Sequence, residues 1–172
     1  VNFFGVIAVT QAFLPLLRAG RGRLVNMSSV SGMVASPFLS PYTTSKWALE
    51  ALSDALRVEL HPWGIQVSVV RPGAIDTPIW AKGRDTADKI LEGAPTELAE
   101  LYGPVVYSLL GGLKPHGISA MHVAGAVAHA LMADRPRTRY EVGFQVKIVD
   151  IFRRLPDRVR DAIFLRRLGR GL

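Results

Sequence analysis

Tyr42 and Lys46 stand four residues apart, and Ser29 lies thirteen residues ahead of the tyrosine. On a helix, positions i and i+4 share a face, so the phenol and the amine can converge. A free phenol ionises near ~10, too high for proton exchange at neutral pH. A neighbouring ammonium favours the phenolate, and the positive end of a helix dipole acts in the same direction. A tyrosine so placed can serve as general acid or base. The Ser29 hydroxyl adds a donor for an oxygen on which charge develops. Together the three suit the interconversion of an alcohol and a ketone. With four tyrosines and five lysines, a Tyr-x-x-x-Lys pair arises by chance in roughly one such sequence in eight. A serine at a fixed offset lowers the joint chance below roughly 1%, so the trio outweighs the pair.

The surrounding elements must position these groups. Residues 2–18 carry apolar side chains at steps of three and four and predict a helix. Ala19-Gly20-Arg21-Gly22 ends it, and residues 23–27 predict a short strand centred on Leu24 and Val25. Residues 28–41, rich in Ser, Gly and Pro, predict a loop, and residues 42–60 a second helix. Residues 65–70 are strongly β-favouring, and Arg71-Pro72-Gly73 leads out of that strand. Helix alternating with strand predicts an α/β fold with parallel strands. Farther on, residues 85–110 predict an irregular helix broken at Gly93-Ala94-Pro95 and at Gly103-Pro104. Gly111-Gly112 and Pro115-His116-Gly117 predict a flexible connection. A helix over 119–133 capped by Ser119, a strand over 138–146 and an amphipathic helix over 155–168 complete the chain.

The 172 residues suffice for one domain with a hydrophobic core, and 49% hydrophobic with 20% charged residues is ordinary for a globular protein. Cysteine is absent, which removes disulfides and thiolate metal sites and fits a reducing, cytoplasmic setting. The four histidines form no His-Glu-x-x-His, so no metal site is expected. No Gly-x-Ser-x-Gly elbow is present, which argues against a hydrolase. The net charge is +7, and residues 150–172 hold seven arginines against three aspartates. Such a basic end is either a solvated face or a contact for an anionic membrane surface. Nucleic acid has only net charge in its favour, since no base-stacking motif accompanies the arginines.

The motifs resemble the short-chain dehydrogenase/reductase family. Leu24-Val25-Asn26-Met27-Ser28-Ser29 resembles its fifth strand and the serine that follows. Tyr42-Thr43-Thr44-Ser45-Lys46 matches its Tyr-x-x-x-Lys signature, and Arg71-Pro72-Gly73-Ala74-Ile75-Asp76-Thr77 resembles its loop after the sixth strand. Val1-Asn2-Phe3-Phe4-Gly5 resembles the start of its fourth helix. The resemblance covers residues 1–80 and loosens beyond. Pro136-Arg137-Thr138-Arg139-Tyr140 and the Arg-rich tail faintly resemble the retinol and hydroxysteroid dehydrogenase branch.

The resemblance implies the C-terminal part of a Rossmann-like, doubly wound parallel sheet, a partial single domain over 1–172. It would have a substrate lid over about 78–118 and a basic amphipathic tail over about 150–172. It implies an NAD(P)-dependent oxidoreductase with NAD or NADP as cofactor; the stretch that selects between them is not in this sequence. Tyr42 would exchange the proton, Lys46 would acidify it and bind the nicotinamide ribose, and Ser29 would orient the substrate oxygen. Asn2 would hold a water linking Lys46 to solvent. Pro72, Gly73 and Ile75 would line the nicotinamide, and Thr77 would bond its carboxamide. Trp80, Ile90, Leu91, Val105, Val106, Leu109 and Leu110 would wall an apolar pocket for a lipid-like alcohol or carbonyl, or else pack as core. The family pairs the helices over 2–18 and 42–60 across a dimer axis, so a homodimer or homotetramer is implied. The family's Gly-rich cofactor turn and its Asn-Asn-Ala-Gly stretch do not occur in this sequence, so the N-terminal nucleotide-binding half reads as absent. Residues 1–172 alone are therefore expected to be inactive, to bind no dinucleotide and to aggregate. The alternative is a catalytically silent relative that binds a partner or membrane surface through its tail.

Overall fold

The computed structural model describes residues 1–112 and 117–168, with the surroundings of Trp80, Leu109, Gly111, Gly112 and Arg167 outside that description. Three parallel strands form one sheet in the order β1 (Arg23–Met27), β2 (Gln66–Pro72), β3 (Arg139–Val142). β1 pairs with β2 from Arg23 opposite Gln66 to Met27 opposite Val70, and β2 pairs with β3 from Val69 opposite Arg139 to Pro72 opposite Val142. The central strand is buried almost throughout, as expected of a parallel strand covered on both faces.

Helix α1 (Phe4–Ala19) and helix α2 (Ser40–Glu59) cover one face. Leu60, Ile65 and Val67 pack there with Leu14, Leu17, Leu24 and Leu56. Helices α3 (Ile79–Glu92) and α4 (Thr96–Gly112) follow β2 and pack on each other. Helix α5 (Ala120–Met132) covers the opposite face of the sheet, where Val70, Tyr140 and Val142 meet Val123 and Ala130. The period-two alternation of β2 thus sends Val67 to one layer and Val70 to the other. Helices α6 (Phe144–Phe152) and α7 (Asp157–Leu168) close the described chain.

Several sequence expectations are corrected. Helix α2 starts at Ser40, two residues before Tyr42, because a proline in the first turn needs no N–H bond and Pro41 fits there. The loop ahead of it holds a 3-10 turn over Val30–Gly32. β2 runs on to Pro72. The expected break at Gly103-Pro104 does not occur: α4 passes through Pro104, whereas Gly93-Ala94-Pro95 does separate α3 from α4. The last strand stops at Val142, where Gly143 turns at φ +104° and Phe144 starts a helix. Only glycine takes that angle freely. Ser119 caps α5 as read, its Oγ accepting from Met121 N at 3.2 Å. The expected flexible connection at Pro115-His116 lies outside the described residues.

Candidate active site

The ends of the parallel strands put the chemistry on one edge of the sheet. Ser28 and Ser29 follow β1, Gly73 follows β2, and Gly143 follows β3. Ligand groups gather at the C-terminal ends of such strands. Backbone bonds extend the ladder past the strands, from Ser28 N to Val70 O at 2.8 Å and from Gly73 N to Val142 O at 2.9 Å.

Tyr42 is the third residue of α2, inside the first turn where the helix dipole is positive. It is 38% exposed. The Lys46 ammonium lies 5.7 Å from the centre of the Tyr42 ring. Lys46 also donates to the Met27 carbonyl at 2.7 Å. Burial pushes the Lys46 pKa below the usual lysine value. The bond to Met27 ties α2 to the end of β1 and places the cation two residues from Ser29.

Ser29 is extended, and its Oγ accepts from Ser31 N at 3.2 Å. A hydroxyl that accepts one bond still has its own proton to donate. The turn is held close to α2 by Gly32. A Cβ there would stand 2.8 Å from Ser28 Oγ, 3.1 Å from Glu50 Cγ and 3.2 Å from the Lys46 carbonyl. A buried bond from Asn26 Nδ2 to Ser53 Oγ, 2.9 Å, fixes β1 against the middle of the same helix.

The loop after β2 is pinned by bonds from Asp76 N to Ile118 O and from Ile118 N to Ala74 O, both 3.1 Å. It holds Pro72 buried and Gly73, Ile75 and Thr77 half-buried. The space at Gly73 is taken by protein: a Cβ there would meet Gln145 Oε1 at 2.9 Å. The close approach that glycine permits is thus to α6, which sequence reading, directed at a ring, did not find. Gln145 Oε1 is buried without a partner among the described residues. Asn2 is exposed and stands two residues before α1.

The donor set suits a nicotinamide dinucleotide. Lys46 has three N–H donors, one of them on Met27, beside a phenol, which matches a ribose diol. The unpartnered Gln145 oxygen beside Gly73 matches an amide donor. Residues for the pyrophosphate are not found among those described.

The expected apolar pocket is not assembled as one wall. Val105 is 2% exposed and belongs to the core, whereas Ile90 is 64% exposed. Trp80 and Leu109 lie outside the described residues. A shallow groove of about 630 Å³, lined by Leu14, Pro15, Arg18 and Trp63, sits at the opposite end of the strands from Ser29. Among the described residues, no cluster of His, Asp and Glu could hold a metal, and no helix is long and apolar enough to cross a membrane. His122 and His129 are both exposed, and His129 Nδ1 pairs with the Tyr140 hydroxyl at 2.8 Å.

The sequence profile described as short chain dehydrogenase matches residues 1–88, just over half of the chain. The chain belongs to this family. It is 36% identical over 174 residues to 17-beta-hydroxysteroid dehydrogenase type 6 of Bos taurus, covering 96% of this chain and 55% of that protein. It is 38% identical over 149 residues to the mitochondrial D-beta-hydroxybutyrate dehydrogenase of Mus musculus, covering 81% and 43%. The crystal structure of a short chain dehydrogenase from Burkholderia cenocepacia J2315 in complex with NADP superposes with a TM-score of 0.69. Its identity is 22%, and 96% of this chain and 56% of that one are covered. The chain spans about half the length of these relatives. As a member of this family it has the family's α/β parallel-sheet fold.

Proposed function

We propose that the protein is an NAD(P)-dependent oxidoreductase that interconverts an alcohol and a ketone or aldehyde, with Tyr42 as the proton-exchanging group. The observation that carries this reading is the Lys46 ammonium, bonded to Met27 O at 2.7 Å and 5.7 Å from the Tyr42 ring. Its bond reaches the last residue of β1, two residues before Ser29. When bound, a nicotinamide dinucleotide, NAD or NADP, accepts or supplies the hydride.

The protein's residues do the rest. Tyr42 gives its proton to the carbonyl oxygen in reduction, or takes one from the alcohol in oxidation. Ser29 donates to the same oxygen, and its Oγ is already oriented by Ser31 N. Lys46 stabilises the phenolate and presents its remaining donors to a ribose. Pro72, Gly73, Ile75 and Thr77 form the wall against the nicotinamide. Asn2, near the start of α1, positions a water for proton return to Lys46. The substrate is apolar or lipid-like, in line with the steroid named by one relative. The two relatives carry names of a steroid and of a small hydroxy acid, so substrate size is the first thing to assay.

Assembly into a homodimer or homotetramer through α1 and α2 is supported by exposed Val9, Phe13 and Leu16 on α1 and Trp47 and Val58 on α2. β1 has a partner on one side only among the described strands. That is consistent with an isolated 1–172 chain that aggregates and does not turn over substrate.

The test is Tyr42→Phe in the full-length protein. Nicotinamide absorbance is followed with sterol, retinoid, long-chain and short hydroxy-acid alcohols. Loss of turnover with a native melting curve supports the reading; unchanged turnover sinks it.

A second reading is a catalytically silent protein that works through its basic end. In its favour, Phe144, Ile148 and Ile151 are exposed at positions i, i+4 and i+7 of α6, beside Lys147 and Arg154. Such a stripe suits shallow contact with an anionic bilayer from the cytoplasmic side. Vesicle binding that survives Tyr42→Phe, with no turnover by the parent protein, would favour it.

A further inference from the structure

We infer that Arg71 is a positioning residue: it takes up the Glu50 carboxylate, keeps that charge off Lys46, and locks the catalytic helix to the Pro72-Gly73 loop. The inference rests on the proposed function of the site.

Glu50 follows Lys46 by four residues and Tyr42 by eight, so the three side chains share one face of α2. It is only 6% exposed. A carboxylate one turn from an ammonium would ordinarily pair with it, and a paired Lys46 would have little field left for the phenol. The pairing does not form. Arg71 Nε donates to Glu50 Oε1 at 2.8 Å and Arg71 Nη2 to Oε2 at 2.6 Å, a two-pronged bond that engages both oxygens. Lys46 turns to a neutral carbonyl instead.

The charges around Glu50 balance without Lys46. From α2 come Asp54 and its partner Arg57, 2.5 Å apart. From β3 come Arg139, 3.6 Å from Glu50 and 2.6 Å from Asp54, and Glu141, 3.9 Å from Arg71. Three carboxylates therefore face three guanidinium groups, and the Lys46 charge is left over. The turn over Val30–Gly32 contributes no charge, but Gly32 lies against Glu50 Cγ and the Lys46 carbonyl. Arg71 immediately precedes Pro72. The Ser29 turn, the Tyr42 helix and the nicotinamide-side loop thus meet at one ion pair. Burial works against the Arg71 charge, yet the Glu50 bonds and the charges of Glu50, Glu141 and Asp54 leave its pKa above the ordinary arginine value. Arg71 therefore stays charged throughout the working range.

The experiment uses the full-length protein and the variants Arg71→Met, Glu50→Gln, the double variant and Arg71→Lys. Two quantities are read: the pH midpoint of turnover, and the Tyr42 midpoint in cofactor-free protein labelled with 13C at tyrosine Cζ, assigned with Tyr42→Phe. In Arg71→Met an unmasked carboxylate next to Lys46 should raise both midpoints by about one unit. Glu50→Gln, which leaves Arg71 unpaired, should lower them. The double variant should return to the parent value. Arg71→Lys, which keeps the charge and loses the fork, should hold the parent midpoint while melting earlier. Identical midpoints in all four, with only melting temperatures changed, would overturn the inference, as would an Arg71→Lys midpoint displaced like that of Arg71→Met. If the parent turns over no alcohol while the resonance shifts appear as described, the proposed function fails and the charge mask stands.

Discussion

The Lys46 ammonium is bonded to the Met27 carbonyl across 2.7 Å. A side chain of α2 therefore holds the last residue of β1, and the helix that carries Tyr42 cannot shift without disturbing the turn that carries Ser29. Burial at this spot makes the Lys46 charge costly.

That cost has a measurable sign. A base whose folded pKa is depressed destabilises the fold while protonated, and stability rises as the pH climbs from the lowered folded value toward the unfolded value near ~10.4. Lys46→Met removes the buried charge, and water can replace its bond to the exposed Met27. At pH 7 the variant should melt at or above the parent temperature while turnover falls by about 100-fold or more. Paired thermal melts and steady-state rates check both halves.

Ser29→Ala removes the acceptor for Ser31 N and, under the proposed mechanism, the donor to the reacting oxygen. Turnover should fall by about 100-fold to 1,000-fold, with a stability loss of about 1 kcal/mol from the lost cap. Ser29→Thr, which keeps the hydroxyl, should retain most of the stability. Steady-state kinetics and denaturant titration measure the two effects.

Asp54 links α2 to β3 through Arg139 Nη2, 2.6 Å from each oxygen. Burial would raise its pKa, but the hydrogen bonds from Arg57 and Arg139, with their charges, outweigh it and the net shift is downward. A depressed carboxyl contributes stability that is present above the unfolded value near ~3.9 and is lost as the pH falls through the folded value. Melting temperature should therefore drop steeply below about pH 4. In Asp54→Asn the neutral-pH stability should be lower and that part of the acid slope gone.

Gly32→Ala would drive a methyl group to 2.8 Å from Ser28 Oγ and 3.2 Å from the Lys46 backbone oxygen. The turn must then move away from α2, at a cost of about 1–3 kcal/mol. Turnover should fall out of proportion to that loss, because Ser29 moves with the turn. Kinetics at a temperature where both proteins are fully folded separate the two contributions.

Local patterns carried much of this structure. The strand over 23–27 was legible because Gly20 and Gly22 end the helix just ahead of it and Leu24-Val25 centre it, and its bounds match those observed. The spacing of Ser29, Tyr42 and Lys46 was legible because an i, i+4 pair needs only a helix to converge. Pro41 was read as loop and Pro104 as a break. The first fits the opening turn of α2, and α4 runs on past the second. Phe144-Gln145-Val146 looked like strand because apolar content does not distinguish β3 from a helix that starts after a positive-φ glycine. The bond of Glu50 to Arg71 and the close approach of Gln145 to Gly73 were not legible. Each joins elements far apart in sequence, and only the register of β2 between its neighbours brings them together.

The groups assigned to the reaction stand at or beyond the C-terminal end of a strand or near the start of a helix, while Val67, Val69 and Val70 fill the sheet interior. Catalysis and foldedness are therefore encoded in different stretches of the polypeptide. Exchanges at exposed positions of α3 and α4, such as Ile79, Ile90 and Leu98, leave these interior valines untouched, which makes those positions the natural place to begin directed evolution.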